Sequence, residues 1–250
     1  MTDSQPLVRY GRGGGRPPAD DERLVIAPDG TFDARRTVAG HRVGDFRGQL
    51  DRSELDDLRA DVEKAAGADD LAVMRPFDAA VETTETGGRT ATMGSNEQPT
   101  GPWAPLILRL RRLIDEAFEA RAVGGIELRA TTRDARLVHI GERPVDLDRR
   151  SVQVRAVRID DRGAVLARWQ GSVVAPQVED TIGAETGPEW VTAGPGWSEE
   201  LPFDHGIELA PGDWLQVWVF AEICAADGAR AVRLYTAVPA VVAGTSPDSE

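Results

Sequence analysis

The sequence predicts an α+β first half, two hairpin–helix units on one sheet, followed by an all-β antiparallel sandwich. Three observations predict it. Two apolar stripes of helical period occur, and both lie before residue 120. Each follows short apolar runs that flank a Gly-bearing turn. After Gly125 no helical stripe recurs, and short alternating runs punctuated by Gly, Asp and Pro take over. The expected division is residues 1–123, residues 124–243 and a disordered polar tail over 244–250.

Leu7-Val8-Arg9-Tyr10 reads as a short strand. The run Gly11-Arg12-Gly13-Gly14-Gly15-Arg16-Pro17-Pro18 then predicts a flexible or tightly turning loop, because Gly and Pro disfavour a helix or a central strand. Arg23 to Ala27 and Thr31 to Arg35 flank Pro28-Asp29-Gly30, a hairpin signal. Asp51 followed by Glu54 forms a capping box, with Leu50 and Leu55 placed as a hydrophobic staple. Leu55, Leu58, Val62 and Ala65 share one helical face, and Asp56, Asp57, Arg59, Asp61 and Glu63 take the others. A helix is expected over about 52–66.

Phe77 to Thr83 and Arg89 to Met93 flank Glu85-Thr86-Gly87-Gly88, a second hairpin. A second helix is expected from Pro102, with Trp103, Leu106, Ile107, Leu110, Leu113, Ile114, Ala117 and Phe118 as its apolar stripe. Arg109, Arg111, Arg112, Asp115, Glu116 and Glu119 make its wet side, and Gly124-Gly125 is expected to stop it.

In the second half, Ile126 to Arg129 and Arg136 to Ile140 are strand candidates. Val152 to Ala156 and Ala164 to Trp169 form a hairpin around Asp160-Asp161-Arg162-Gly163. Gly183 to Asp204 is loop-rich and carries Trp190, Trp197 and Phe203. Asp213 to Ile223 is a long apolar strand that turns at Ala226-Asp227-Gly228 into Arg230 to Val238.

The chain has 250 residues and a formal net charge of −13, which argues against a nucleic-acid partner. Lys64 is its only lysine, a bias that fits a GC-rich genome better than selection for arginine chemistry. Cys224 is its only cysteine, so no intrachain disulfide or cysteine cluster is expected; a buried structural role is the plainer reading. Met1 to Arg16 has no apolar leader, and no segment has the length and apolarity of a membrane span, so a cytoplasmic location is expected.

Catalytic constellations are not apparent. The glycine run lacks the Lys-Ser/Thr pair of a phosphate loop. His41, His139 and His205 stand apart in sequence, with Asp204 beside His205, so no metal site is expected. No serine sits in a Gly-x-Ser-x-Gly elbow. Glu222 lies in an apolar strand, and alternation turns it outward. Five of the six tryptophans fall after residue 160. On the Asp213 strand, Leu215, Val217, Val219, Ala221 and Ile223 share one face; Trp214, Gln216, Trp218, Phe220 and Glu222 share the other. Such an aromatic face is covered by the rest of the chain, by a partner or by a ligand such as a sugar.

Residues 7 to 121 resemble the emfourin-like family of proteinaceous inhibitors of thermolysin-type metallopeptidases. The likeness rests on Val8-Arg9-Tyr10 before Gly13-Gly14-Gly15, and on Asp21-Glu22-Arg23-Leu24-Val25-Ile26 with its Asp-Gly hairpin. It continues in Leu50 to Leu58 opening a helix, the hairpin at Thr86-Gly87-Gly88, and the helix from Pro102 through Leu113. The resemblance implies protein–protein binding without chemistry, and by position Arg12, Gly13, Gly14, Gly15 and Arg16 as the contact loop. The sequence thus predicts a non-catalytic protein-binding protein with no cofactor, whose partner is a protein and whose target by resemblance is a metallopeptidase. Alternatives are an assembly protein that oligomerises through its sandwich, and a carbohydrate or small-ligand binder using Trp214, Trp218 and Phe220. The oligomeric state is not readable from the sequence.

Overall fold

The structure, a computed structural model, describes residues 5–14, 20–37, 42–72, 80–160, 162–172, 187–210, 213–224, 232–237 and 241–242. The chain is mostly β with few helices. It divides into two compact units, Met1–Val38 with Gly44–Val123, and Ala39–Val43 with Gly124–Glu250.

The first unit is built from β1 (Val8–Gly14), β2 (Asp20–Ile26), β3 (Thr31–Arg36), β4 (Arg42–Gln49), α1 (Arg52–Ala66), β5 (Leu71–Ala72), β6 (Val81–Thr86), β7 (Arg89–Gly94), a 3-10 turn at Gly101–Trp103, and α2 (Ala104–Ala117). Its strands lie in the order β4-β3-β2-β1-β6-β7-β5. All described pairings here are antiparallel except β5 on β7.

Local chemistry explains the turns and caps. Gly30 has φ +87°, which a residue with a Cβ adopts only at a cost, and the Asp29 carboxylate accepts from Thr31 N at 2.9 Å and Thr31 Oγ1 at 2.6 Å. Those bonds hold the Asp29 carboxyl below its ordinary range. Gly87 and Gly88 both have positive φ, the requirement of a two-residue hairpin turn. Asp51 caps α1 by accepting from Glu54 N at 2.8 Å. In α2, Leu106, Ile107, Leu110, Leu113, Ile114 and Ala117 are buried; each fully buried Leu or Ile contributes roughly 1.5–3 kcal/mol.

The structure departs from the sequence reading at four places in this unit. The glycine run does not open a loop at Gly11: β1 continues through Gly14 as a central strand, paired with β2 on one side and β6 on the other. Backbone pairing on both edges offsets the entropic cost of its glycines. Strand β4 was not expected, since only Val43 and Phe46 break its polar run; its Gly48 lies opposite Phe32, whose ring occupies the space a Cβ would need. Asp61, expected on the wet side of α1, is 5% exposed because Arg109 Nε donates to its Oδ2 at 2.8 Å. Finally, α2 ends at Ala117 with Phe118 as its C-cap. Gly124-Gly125 lies instead inside a strand, and a Cβ on Gly124 would meet Arg143 O at 2.4 Å. Close backbone approach, not helix termination, requires Gly124.

That strand, β8 (Arg121–Ala130), leads into the second unit. There follow β9 (Ala135–Gly141), β10 (Val145–Ile159), β11 (Val165–Ser172), β12 (Trp190–Ala193), β13 (Ser198–Glu200), β14 (Trp214–Cys224), β15 (Val232–Ala237) and β16 (Val241–Val242). One set of strands runs β13-β9-β8. The other runs β11-β10-β14-β15, with β12 also on β10 and β16 also on β14. Residues of both sets, among them Ile126, Leu128, Leu137, Val154, Val217 and Val219, share one apolar core with Val43. The segment read as loop-rich carries β12 and β13; the predicted turn at 226–228 and the tail 244–250 fall outside the described residues.

Candidate functional site

In the first unit the register lines up charges across four strands. Arg36 of β3 faces Glu22 of β2, Glu22 faces Arg12 of β1, and Arg12 faces Glu82 of β6. The four alternate in sign, so each charge has opposite neighbours. Arg36 Nε donates to Glu22 Oε1 at 2.6 Å, and Arg12 Nε donates to Glu22 Oε2. Helix α2 adds Asp115, which accepts from Arg12, and Arg111, which grips both Glu82 oxygens. Tyr10 OH donates to Glu82 Oε2 at 2.6 Å. Glu22 and Glu82 are 3% and 1% exposed, which only such pairing permits.

The ionisations follow from these contacts. Burial, then the hydrogen bond and charge of Glu82, push the Tyr10 phenol far above its ordinary value. Burial disfavours the Arg12 cation, but its bonds to Glu22 and then Asp115 outweigh that and hold its pKa above the usual one. The hydrogen bond to Glu82 does the same for Arg111. Arg12, assigned by sequence to a mobile contact loop, is therefore an internal counter-ion, and Gly13 and Gly14 are sheet. Gly15 and Arg16 lie outside the described residues. Of the residues read as the wet side of α2, Arg111 turns inward to this network, while Asp115 stays exposed and reaches it only through Arg12.

The second unit offers a different surface. On β14, Leu215, Val217, Val219, Ala221 and Ile223 are buried, while Trp214 is 44% exposed and Gln216, Trp218, Phe220 and Glu222 are half-buried on the opposite face. The register sets Trp218 opposite Arg155 and Phe220 opposite Gln153 on β10; Arg155 in turn faces Gln170 on β11, and Val157 faces Arg168. The Arg155 guanidinium lies 4.7 Å from the Phe220 ring centroid. Arg155, Val157, Arg168, Gln170 and Trp218 line an open groove of about 510 Å³. Among the described residues, every charged side chain lining it is an arginine. Trp169 also lines the groove and packs edge-on against Phe203; Trp197 lies against the core, and Trp190 is 43% exposed.

The two described histidines bond to backbone groups. Ile207 N donates to His205 Nδ1 at 2.9 Å, which makes Nε2 the protonated nitrogen, donating to Thr132 O at 2.9 Å. His139 Nε2 contacts Arg143 O at 2.8 Å, and its buried Nδ1 has no hydrogen-bond partner among the described residues. His41 and the side chain of Cys224 lie outside the description. Among the described residues no three His, Cys, Asp or Glu side chains gather to hold a metal ion, and no helix is long and apolar enough to cross a membrane. No family model, curated protein or solved structure matches the chain.

Proposed function

We propose that this chain is a non-catalytic protein-binding protein, with an α+β first unit of two hairpin–helix repeats and an antiparallel sandwich as its second unit. One observation carries the reading: the β11-β10-β14 face joins Trp218 to Arg155 and Arg168 around an open groove, with Trp214 and Phe220 on the same face of β14. Tryptophan and arginine are the residues on which protein interfaces concentrate their binding energy. Capture from cell extract tests it, comparing the wild-type chain with a Trp214→Ser/Trp218→Ser variant of unchanged circular dichroism. A partner held by the wild type and lost by the variant supports the reading; identical capture by both overturns it.

A thermolysin-type metallopeptidase as the target is supported by the emfourin-like resemblance of residues 7 to 121. Arg12 to Gly14 belong to a central strand, so of the expected contact loop Gly15 and Arg16, which lie outside the described residues, are the part left to make that contact. Absence of inhibition of such a peptidase by a large excess of the purified chain sets this target aside.

A further inference from the structure

Strand β10 carries four arginines of two kinds. Arg149 pairs with Glu199 and Glu189, Arg150 with Glu189, and Arg158 with Asp213 at 2.6 Å. Arg155 instead lies on the Phe220 ring and has no carboxylate partner among the described residues. Arg168 on β11 has none either. The two occupy diagonal positions on adjacent strands, because Val157 faces Arg168 and Arg155 faces Gln170. The backbones of diagonal neighbours stand about 7–8 Å apart, a spacing that one extended chain segment can span.

The unmatched pair reverses the sign of its surroundings. The chain has 42 acidic and 29 basic side chains, and its arginines elsewhere on β10 are neutralised by carboxylates. An acidic ligand meets repulsion from the whole molecule, but at physiological ionic strength that field decays over about 8 Å. A carboxylate within hydrogen-bond distance of Arg155 or Arg168 is governed by those guanidinium groups.

We propose, resting on the protein-binding reading above, that this groove takes an acidic segment of the partner protein. Carboxylates of the segment engage Arg155 and Arg168, which suit them through paired N–H donors. An apolar side chain beyond the Arg155 contact packs on Trp218, which stands directly across from Arg155 on the side away from Arg168. Gln170 and Gln153, both exposed, offer donors and acceptors to the segment's backbone. The groove is open and lies on a sheet face, which suits an extended segment better than an enclosed small molecule.

The test uses the full chain, tryptophan fluorescence and calorimetry, with four probes. These are short peptides with paired Asp or Glu followed by Leu, the same peptides as Asn/Gln amides, their Lys counterparts, and oligogalacturonate as a non-peptide polyanion. The acidic peptides are expected to bind about tenfold more tightly than the amides, with affinity falling as salt rises. Arg155→Gln with Arg168→Gln should remove that preference, and Trp218→Leu should weaken acidic and amide peptides alike. Arg168→Gln alone, on exposed β11, keeps the test usable if the double variant misfolds. Equal binding of acidic and amide peptides overturns the inference and leaves the protein-binding reading standing. Binding of oligogalacturonate with no peptide bound overturns both.

Discussion

Glu82 is where the buried charges of the first unit converge, and its removal gives the sharpest test of that unit's interior. Its carboxylate accepts from Tyr10 OH at 2.6 Å, from Arg111 Nε at 3.0 Å and from Arg111 Nη2. Glu82→Ala deletes the acceptor and leaves two buried donors behind. Removing one partner of a buried ion pair costs about 3–5 kcal/mol. Arg111 keeps its bond to Glu97 O at 2.7 Å, and its side chain is 23% exposed, so water recovers part of its loss. The expected loss is therefore near the lower end, about 3 kcal/mol. With a urea dependence of about 1–3 kcal/mol per molar, the unfolding midpoint should fall by roughly 1–3 M. Trp103 is buried and is the only tryptophan before residue 124, so its fluorescence reports this unit. Glu82→Leu combined with Arg111→Met should cost less than Glu82→Ala alone, because no charge is then stranded. A loss below about 1 kcal/mol, the scale of exposed ion pairs, would refute the reasoning.

Three further outcomes are expected. The Tyr10 phenol stays protonated in the folded state well above the ordinary value near 10, where the unfolded chain has lost that proton. The folded state then holds more protons, so stability falls as pH rises past about 10, by about 1.4 kcal/mol per unit; alkaline denaturation of Tyr10→Phe should lack that component. Gly30→Ala should cost about 1–2 kcal/mol in thermal unfolding, since φ is +87° and the new Cβ would sit 2.9 Å from Gln49 Nε2. Gly88→Ala, whose Cβ meets nothing within 4 Å, should cost less. Gly124→Ala should cost about 1–3 kcal/mol or prevent folding, since its Cβ meets the Arg143 backbone at 2.4 Å; wild-type stability there would contradict the strand packing.

Elements with a local signal were readable from the sequence, and those held by partners far along the chain were not. Helix α1 runs from Arg52 to Ala66, and its start was readable because the Asp51 carboxylate accepts from Glu54 N within one turn. The hairpins at Asp29-Gly30 and Gly87-Gly88 are equally local. Gly11 to Gly14 look like a loop until β2 and β6 are present to pair them. Arg12, Glu22 and Glu82 look like solvent residues, since nothing near them in sequence shows that Arg111 and Asp115 will cover them. The aromatic side of β14 was readable from alternation alone. Its arginines were not, because Arg155 and Arg168 reach Trp218 only through a register across three strands.

Val43 has a consequence for how the protein could have been assembled. It is fully buried in the apolar core of the second unit, although 80 residues of sequence separate it from Gly124. The second unit is therefore discontinuous in the gene. A recombination event at the codons for Val123 and Gly124 would transfer that unit without a core side chain whose burial contributes roughly 1.5–3 kcal/mol. A sequence carrying only residues 124–250 would have to refill the vacancy before it became an independently inherited module.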